Sequence, residues 1–337
     1  MQIQQNISLK PFNTFGIDVI AKHFVSVTHI EELKTVLELK NYPNKLILGG
    51  GSNMLLTKDQ DVLVIHVNIK GISVISEDDD FAIVKANAGE NWHEFVLWCL
   101  NKNFGGLENM SLIPGNVGTS PIQNIGAYGM ELKDSFISCE ALRIDTQDIQ
   151  TFNKQACKFD YRNSIFKQEA KGKYIITSVT FKLTKRNHQL HINYGTIVSQ
   201  LKEMGVKNPT IQDVSEAVIC IRESKLPNPK EIGNSGSFFK NPVISKKQFN
   251  TLVKNFEDIP CYPISDNEVK VPAGWLIEKA GFKGKRFGDY GVHKKQALVL
   301  VNYGNAKGED ILNLSKLIQN TINRIFGISI DAEVNIL

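Results

Sequence analysis

The spacing of hydrophobic residues predicts strands and helices along the whole chain. Short apolar or alternating runs predict strands at 23–27, 45–48, 61–67, 81–89, 174–184, 296–304 and 328–337. Helical periodicity occurs at 29–41 (with Thr28 as the expected cap), 91–103, 211–225, 273–281 and 308–327. Gly281 is expected to end the fourth of these helices. Because strands and helices are mixed throughout, the pattern favours an α+β architecture with several subdomains.

Composition narrows the class of protein. The chain has 337 residues, of which 42% are hydrophobic and 22% charged, with a net charge of +4. These values are typical of a globular protein, and no basic cluster interleaved with aromatics indicates a nucleic-acid partner. The five cysteines are scattered and form no CxxC pair, which argues against a disulfide framework and a zinc site. No secretion signal and no apolar run of the ~18 residues that a membrane helix needs is found, so we expect a cytoplasmic protein.

The first candidate for ligand binding is the run LILGGGSNMLL at 46–56. Three glycines after an apolar strand let successive backbone N–H groups point at one anion, such as a phosphate. The run lacks the GxGxxG and GxxxxGK[ST] spacings of the dinucleotide and P-loop motifs. A tight turn between two strands is the alternative interpretation.

The second candidate is SLIPGNVGTSPIQNIGAYG at 111–129. A passage this long without periodicity is often a binding loop, and its small residues let a flat polar ligand approach the backbone. A long surface loop without a ligand is the alternative. Together, the two glycine-rich segments favour a diphosphate joined to a planar ring, such as a flavin dinucleotide.

Three single residues attract attention because of their surroundings. Arg162 lies in FDYRNSIF, where a guanidinium suits either a carboxylate ligand or an internal salt bridge. Ser237 lies in GNSGSFFKNP, which is not a GxSxG nucleophile elbow and could simply close a turn. Glu333 is a carboxylate in the predicted closing strand. The spacing of His188 and His191, expected on a strand, is poor support for a metal site, and no metal is predicted.

In combination, these segments resemble a known family. NTFG (13–16), LGGGSN (48–53), IPGNVGTSPIQNIGAYG (113–129), YRNSIF (161–166), KLPNPKEIGNSGSFFKNP (225–242), AGWLIEKAG (273–281), HKKQALVLVN (293–302) and AEV (332–334) occur in that order. They resemble the UDP-N-acetylenolpyruvoylglucosamine reductases of peptidoglycan synthesis, and INYG (192–195) resembles their type I branch. The resemblance implies a flavoprotein with two FAD-binding subdomains of the vanillyl-alcohol-oxidase type and an α/β substrate-binding subdomain.

The resemblance also implies roles for particular residues. Ser237 would donate a proton, Arg162 would hold the substrate carboxylate and Glu333 would assist. Substrate-binding positions would be Tyr194, Lys225, Asn241 and Gln296. FAD-binding positions would be Gly49, Gly50, Gly51, Ser52, Asn53, Pro114, Gly115, Gly118, Thr119, Ser120, Gln123, Asn124, Gly126 and Ala127. Asn335 departs from the basic residue often found after AEV, which affects the expected surroundings of Glu333.

The implied reaction is reduction of an enolpyruvyl ether on a UDP-sugar to a lactyl ether, with FAD as cofactor and NADPH as co-substrate. The expected segments are 1–70 and 71–205 for FAD, 206–310 for substrate, and 311–337 returning to the active site. We expect a monomer whose partners are small molecules. Two alternatives remain: an FAD enzyme of the same broad fold, such as an oxidase of small alcohols, and a catalytically silent protein that binds a nucleotide sugar.

Overall fold

The structure, a computed structural model, describes residues 1–337 and divides into two compact units. Unit 1 comprises Met1–Ile7, Ala21–Gly50 and Asp61–Ser224. Unit 2 comprises Ser8–Ile20, Gly51–Gln60 and Lys225–Leu337. Two short N-terminal stretches therefore belong to the unit that is otherwise built from the C-terminal third. The finer division into four functional segments stays a prediction.

The strands are short and numerous, and most helices are short. The strands are β1 Gln4–Ser8, β2 Ile20–Val27, β3 Lys45–Leu48, β4 Met54–Leu55, β5 Gln60–Val67, β6 Ile72–Glu77, β7 Phe81–Asn87, β8 Gly126–Ala127, β9 Met130–Glu131, β10 Phe136–Arg143, β11 Ile149–Asn153, β12 Tyr174–Thr184, β13 Val243–Ser245, β14 Tyr262–Pro263, β15 Glu268–Lys270, β16 Arg286–Phe287, β17 Tyr290–Val292, β18 Leu300–Asn302 and β19 Asn335–Ile336. The α-helices are α1 Ile30–Leu37, α2 Trp92–Asn101, α3 Leu132–Ser135, α4 Lys154–Cys157, α5 Ile197–Glu203, α6 Ile211–Lys225, α7 Lys246–Val253, α8 Ala273–Lys279 and α9 Gly308–Phe326.

Unit 1 is built on two sheets. The first has the order β1-β2-β5-β3, with β3 and β5 parallel, and its core includes Leu33 and Val36 of α1. The second is antiparallel, with the order β11-β10-β12-β7-β6, and its core includes Trp92 and Phe95 of α2. Alternate side chains of β7 are buried, as expected for a strand with one face on the core. A small hairpin, β8–β9, joins Gly126 to Glu131 within the glycine-rich loop.

Unit 2 combines small sheets with three α-helices, α7, α8 and α9. Its sheets are β13-β15-β14, β16-β17-β18 and the parallel pair β19-β4. Helices α8 and α9 meet through Trp275 and Phe326, whose ring centroids are 5.9 Å apart. The face of α9 that is rich in isoleucine and leucine is buried. None of the helices in the structure is long and apolar enough to cross a membrane.

Several expected elements are confirmed and others were wrong in detail. Helices α6 and α9 and strand β12 occupy the ranges that their periodicity predicts. The cap of α1 was wrong: His29 is the N-cap, without a side-chain hydrogen bond, and both the amide and the hydroxyl of Thr28 donate to Glu32 instead. Residues 185–194, which include His188 and His191, lie outside any strand.

The predicted strand at 328–337 is regular only at β19. Glu333 therefore precedes the strand rather than lying within it. The isolated bridge from Ala332 to Phe239 and the amide of Glu333 connect this stretch to the segment around Ser237. Residues 332 and 333 therefore bond to the segment around Ser237 at single residues, without forming a continuous strand ladder.

Candidate active site

The glycine turn, residues 49–53, approaches the glycine-rich loop, residues 111–129, through Gly50. A Cβ atom on Gly50 would lie 2.8 Å from the Cα of Gly115 and 2.7 Å from Oδ1 of Asn116, so only glycine permits this approach. The backbone N–H groups of residues 49–52 donate no hydrogen bond within the chain. Unpaired consecutive N–H donors beside a crowded backbone fit a phosphate-bearing cofactor such as FAD.

The glycine-rich loop is held in place by its own backbone. The amides of Val117 and Gly118 donate to the carbonyls of Glu90 and Ala88 at 2.8 and 3.0 Å. The hydroxyls of Thr119 and Ser120 donate to carbonyls within the loop, at 2.8 and 2.6 Å. These two side chains were expected to contact FAD, and their hydroxyl protons already have acceptors. Their hydrogen bonds favour a role in shaping the loop.

Left-handed backbone conformations concentrate around this loop. Leu112, Asn124, Tyr128 and Arg162 have φ values of 59°, 45°, 49° and 52°, a region that side chains other than glycine seldom occupy. Backbone strain of this kind persists only where the surroundings enforce it, and it is commonly found at functional sites. Tyr128 with Gly129, at φ 84°, forms the two-residue turn between β8 and β9.

Asn124 ties the loop to the turn that carries Arg162. Its Oδ1 accepts the amide of Lys133 at 3.1 Å, and its Nδ2 donates to Glu131 and to the carbonyl of Asp160, each at 3.1 Å. Both polar atoms of this buried amide are thus satisfied by the protein. Asn124 was expected to bind FAD, and these contacts favour a positioning role.

Arg162 projects from a tight turn in which Asp160 and Asn163 exchange two backbone hydrogen bonds of 3.1 Å. Its guanidinium donates to the carbonyl of Gly126 at 2.5 Å and lies 5.4 Å from the ring centroid of Tyr161. The side chain is half-buried. A carbonyl and an aromatic face thus orient the guanidinium, whose planar fork suits a carboxylate ligand.

Tyr194 also lies beside the glycine-rich loop. A Cβ atom at Gly129 would be 3.2 Å from the Cβ of Tyr194, and the Tyr194 side chain is 60% exposed. Unit 1 therefore brings together the start of the glycine turn, the loop, Arg162 and Tyr194. A phenol that lies on a glycine and is mostly open to solvent can move onto a ligand with little loss of packing.

In unit 2, the segment around Ser237 is fixed from both sides. The amide of Phe238 donates to Leu298 at 2.8 Å, and the carbonyl of Phe238 accepts from the amide of Glu333 at 2.8 Å. Phe238 and Phe239 are fully buried, which contributes about 1.5–3 kcal/mol for each ring. Ser237 itself is exposed, and its hydroxyl makes no hydrogen bond within the chain. The segment thus presents an unpartnered hydroxyl on an immobile backbone.

Ser235, two residues earlier, has the opposite environment. It is buried, and its hydroxyl donates to the carbonyl of Met54 at 3.1 Å. Gly236 between the two serines has φ 68°, and a Cβ there would meet no atom within 4 Å. The reason for glycine is therefore conformational and not steric. The left-handed turn at Gly236 therefore separates a buried, hydrogen-bonded Ser235 from an exposed Ser237.

Glu333 is linked to the end of the glycine turn within unit 2. The side-chain amide of Asn53 donates to the carbonyl of Glu333 at 3.5 Å, and the amide of Asn335 donates to the carbonyl of Asn53 at 3.1 Å. Asn335 also donates through its side chain to the same carbonyl, at 2.9 Å. The residue that departs from the family pattern therefore has a structural role here.

Two further predicted substrate residues meet at the first turn of α8. Oδ1 of Asn241 accepts the amide of Ala273 at 2.9 Å, which caps that helix. A Cβ on Gly274, one residue later, would lie 3.5 Å from Oε1 of Gln296. The Nδ2 of Asn241 makes no hydrogen bond within the chain and can donate to a ligand. Lys225 is exposed and likewise forms no ion pair.

Sequence reasoning missed two residues near the glycine-rich loop. Nδ1 of His93 accepts the amide of Leu112 at 3.0 Å, and burial lowers the pKa of this imidazole. Nε of Arg222 is buried and has no hydrogen-bond partner. His93 and Arg222 lie in helices α2 and α6, and polar residues are ordinary in such helical patterns. The sequence pattern therefore did not mark either residue as functional. No group of three His, Cys, Asp or Glu side chains in the structure could hold a metal ion.

Comparison with known proteins identifies the family. Residues 228–337 match the model of the UDP-N-acetylenolpyruvoylglucosamine reductase C-terminal domain, and residues 21–149 match an FAD binding domain. The chain is 61% identical to the UDP-N-acetylenolpyruvoylglucosamine reductase of Flavobacterium johnsoniae, over the full length of both. This chain belongs to the UDP-N-acetylenolpyruvoylglucosamine reductase family. The expectation drawn from its motifs is confirmed.

Two more distant members of this reductase family agree. The enzyme of Chromobacterium violaceum is 46% identical, covering 100% of this chain and 99% of the relative. The crystal structure of the reductase from Thermus caldophilus aligns over 100% of this chain and 99% of the other, with a TM-score of 0.71 and 22% identity. The latter likeness confirms the expected multi-domain α+β fold.

Proposed function

We propose that this protein reduces the enolpyruvyl ether of UDP-N-acetylglucosamine enolpyruvate to the lactyl ether of UDP-N-acetylmuramate, a step in making peptidoglycan precursors. The proposal adds NADPH as hydride source, FAD as the bound carrier and Ser237 as proton donor. The observation that carries it is the hydroxyl of Ser237, exposed and unpartnered on a segment whose two phenylalanines are buried. Membership of the reductase family supports the substrate class.

The residues of the glycine turn and the glycine-rich loop would hold FAD. Four unpaired N–H groups suit its diphosphate, and the small side chains around Gly115 and Gly118 suit close approach of its ring and ribityl chain. When bound, FAD supplies hydride chemistry that no side chain can provide. Tyr194, Lys225, Asn241 and Gln296 offer a phenol, a cation and two amides suited to the diphosphate and sugar of the substrate.

Arg162 would bind the carboxylate of the enolpyruvyl group. Hydride addition to the enol ether leaves negative charge on the neighbouring carbon, and that charge spreads into the carboxylate. A guanidinium already oriented by the carbonyl of Gly126 and the ring of Tyr161 stabilises this charge as it develops. Such preorganised donors contribute most where charge forms in the transition state.

Ser237 would protonate the carbanion. A serine hydroxyl is a weak acid, but a carbanion next to a carboxylate is a far stronger base, so the transfer is downhill. The hydrogen bonds of the neighbouring Phe238 fix the backbone of Ser237, which would let its hydroxyl approach one face of the reacting carbon. Glu333, whose amide donates to the carbonyl of Phe238, would assist from the C-terminal stretch that lies beside this segment.

An absorbance experiment tests the cofactor, the hydride source and the substrate together. We expect the purified protein to show flavin bands that bleach with NADPH under anaerobic conditions and return on addition of the enolpyruvyl UDP-sugar. Recovery only with oxygen, together with turnover of an alcohol, would instead indicate another flavoenzyme. A colourless protein that does not take up added FAD would refute the cofactor and favour a nucleotide-sugar-binding protein.

A further inference from the structure

Two buried cysteines of unit 1 meet beneath the short helix α4. Cys139 lies on β10, directly opposite Phe152 of β11. Cys157 is the last residue of α4, which follows β11 without a break, and its thiol lies 4.0 Å from the carbonyl oxygen of the same Phe152. Both cysteines belong to one hydrophobic cluster, in which Cys139 is 1% and Cys157 0% exposed. The fold of β10, β11 and α4 therefore brings the two side chains together around Phe152.

The thiols of Cys139 and Cys157 are in direct contact. A hydrogen bond with the Cys157 thiol, followed by burial, raises the pKa of the Cys139 thiol. Contact between the sulfurs meets the main geometric condition for a disulfide, because cysteines whose side chains point apart cannot be joined without moving the backbone. Cys99 of α2 offers a comparison: it is equally buried, but burial alone raises the pKa of its thiol. Only the first two cysteines are thus placed to react with each other.

Helix α4 covers this pair and is only weakly held. It is a single turn of four residues, of which Cys157 is buried and the other three are exposed. Lys158, which follows it, has a left-handed φ of 46°, and its ion pair with Glu169 is exposed to solvent. A single turn that buries one side chain opens locally far more often than the whole unit unfolds. Cys157, which moves with α4, is therefore the thiol that a dissolved oxidant reaches first.

We propose that Cys139 and Cys157 are a site of oxidation by hydrogen peroxide, which joins them in a disulfide. The sulfur of Cys157 attacks the peroxide, so that an S–O bond forms, the O–O bond breaks and one water leaves, giving a sulfenic acid. The sulfur of Cys139 then attacks the sulfur of Cys157, so that the S–S bond forms, the S–O bond breaks and a second water leaves. The thiols lose two electrons and two protons, and one peroxide is reduced.

The disulfide ties α4 to β10 at a position five residues before Arg162. The chain runs from Cys157 directly into the turn that carries Arg162, which Asp160 and Asn163 close through their backbones. A covalent link to β10 suppresses the opening of α4, because Cys157 can no longer leave the core. Oxidation thereby secures one arm of that turn, and this inference does not depend on the proposed reaction.

Peptide mapping of the full-length protein tests this site. The folded protein is treated with hydrogen peroxide, then denatured in N-ethylmaleimide and digested without a reductant. We expect a peptide pair that joins Cys139 to Cys157 and is two hydrogens lighter than its separate parts, while the buried Cys99 stays reduced. Hydrogen exchange of the amides at 154–158 should be slower in the oxidised protein by about tenfold. A thiol reductant should reverse both changes.

Single variants test the order of the two steps. Cys139→Ala should leave a sulfenic acid at Cys157 that a cyclic dione probe labels, whereas Cys157→Ala should leave Cys139 unlabelled. The half-buried Cys220 shows in each sample that peroxide has acted. If Cys139 and Cys157 are still reduced when Cys220 is fully oxidised, the inference is wrong. A disulfide that forms only in urea belongs to the unfolded chain and overturns it equally, and this wild-type result holds even if a variant does not fold.

Discussion

The two units prepare their candidate catalytic groups in opposite ways. In unit 1, Arg162 is already held by the carbonyl of Gly126 and the ring of Tyr161, on a backbone at φ 52°. In unit 2, Ser237 has a fixed backbone but a hydroxyl without any partner. A cation must be oriented before charge develops, whereas a proton donor must be free to turn toward its acceptor. The difference suits the separate roles proposed for the two side chains: electrostatic stabilisation for Arg162 and proton donation for Ser237.

The largest effect on turnover should come from removing the Ser237 hydroxyl in unit 2. We expect Ser237→Ala to lower turnover by ~10³-fold, because it removes the general acid. Its unfolding free energy should hardly change, since the hydroxyl has no partner to lose. Steady-state kinetics and urea unfolding measure both quantities.

Ser235→Ala is the matched control for this variant. It should retain near wild-type turnover and lose about 1 kcal/mol of stability, because it deletes the buried hydrogen bond to Met54. If the two variants exchanged these profiles, Ser235 and not Ser237 would be the functional hydroxyl.

The next largest effect should come from unit 1. Arg162→Ala should slow the reduction of the UDP-sugar by ~10²–10³-fold, as removal of a preorganised electrostatic donor does elsewhere. The rate of FAD reduction by NADPH should change much less. Arg143→Ala is the control, since this half-buried arginine forms its ion pair with Asp145. Wild-type single-turnover rates for Arg162→Ala would contradict the role.

A moderate effect on stability and turnover is expected from changing the backbone conformation of Gly236, the residue before Ser237. Gly236→Ala adds a methyl that meets no atom within 4 Å, but it forces a side-chain-bearing residue to φ 68°. We expect a stability loss of about 1–2 kcal/mol from this conformation. Turnover should fall by roughly tenfold, because a displaced Ser237 is a poorer donor. An equally stable variant with full turnover would show that the left-handed conformation is dispensable.

The smallest effect concerns acid stability of the glycine-rich loop. Burial lowers the pKa of His93, so below about pH 6.5 the unfolded chain binds more protons than the folded one. The unfolding free energy should therefore fall as the pH drops through 6.5, and protonation also ends the ~1 kcal/mol hydrogen bond with Leu112.

His93→Asn provides the comparison for this pH effect. The asparagine keeps an acceptor that does not titrate, so its stability should depend less on pH than that of the wild type. Burial also lowers the pKa values of His66 and His293, whose contributions have the same sign in both proteins and cancel in the difference. Identical pH profiles would exclude His93 as a source of acid sensitivity.

Much of the fold was predictable where local periodicity is strong. The 3.6-residue spacing of 211–225 and 308–327 and the apolar run at 174–184 matched α6, α9 and β12 because each element buries a continuous face. The stretches at 233–242 and 328–334 were not predictable in form. Their hydrogen bonds go to single residues distant in sequence, such as Leu298 and Glu333, and no local pattern encodes such partners.

In the candidate site, too, some features were predictable from the sequence and others were not. Motifs identified Ser237 and Arg162, but the state of their side chains depends on tertiary contacts. Thr119, Ser120 and Asn124 were expected to bind FAD, which stays a prediction. The structure shows that the Thr119 and Ser120 hydroxyls donate within the loop and that the Asn124 side chain bonds to Glu131, Lys133 and Asp160 outside it. Arg222 was missed because an arginine in a helical run is usually a solvated side chain, and only the structure shows its Nε buried without a partner.

The most direct test of the central claim separates proton delivery from hydride transfer. Protein with Ser237 replaced by alanine or by cysteine is reduced anaerobically with NADPH and then mixed with the enolpyruvyl UDP-sugar in a stopped-flow instrument. We predict normal FAD reduction in both variants, a reoxidation step slowed by ~10³-fold in Ser237→Ala, and partial recovery in Ser237→Cys, whose thiol can also give a proton. Reoxidation of Ser237→Ala at the wild-type rate would contradict the assignment of Ser237 as the proton donor.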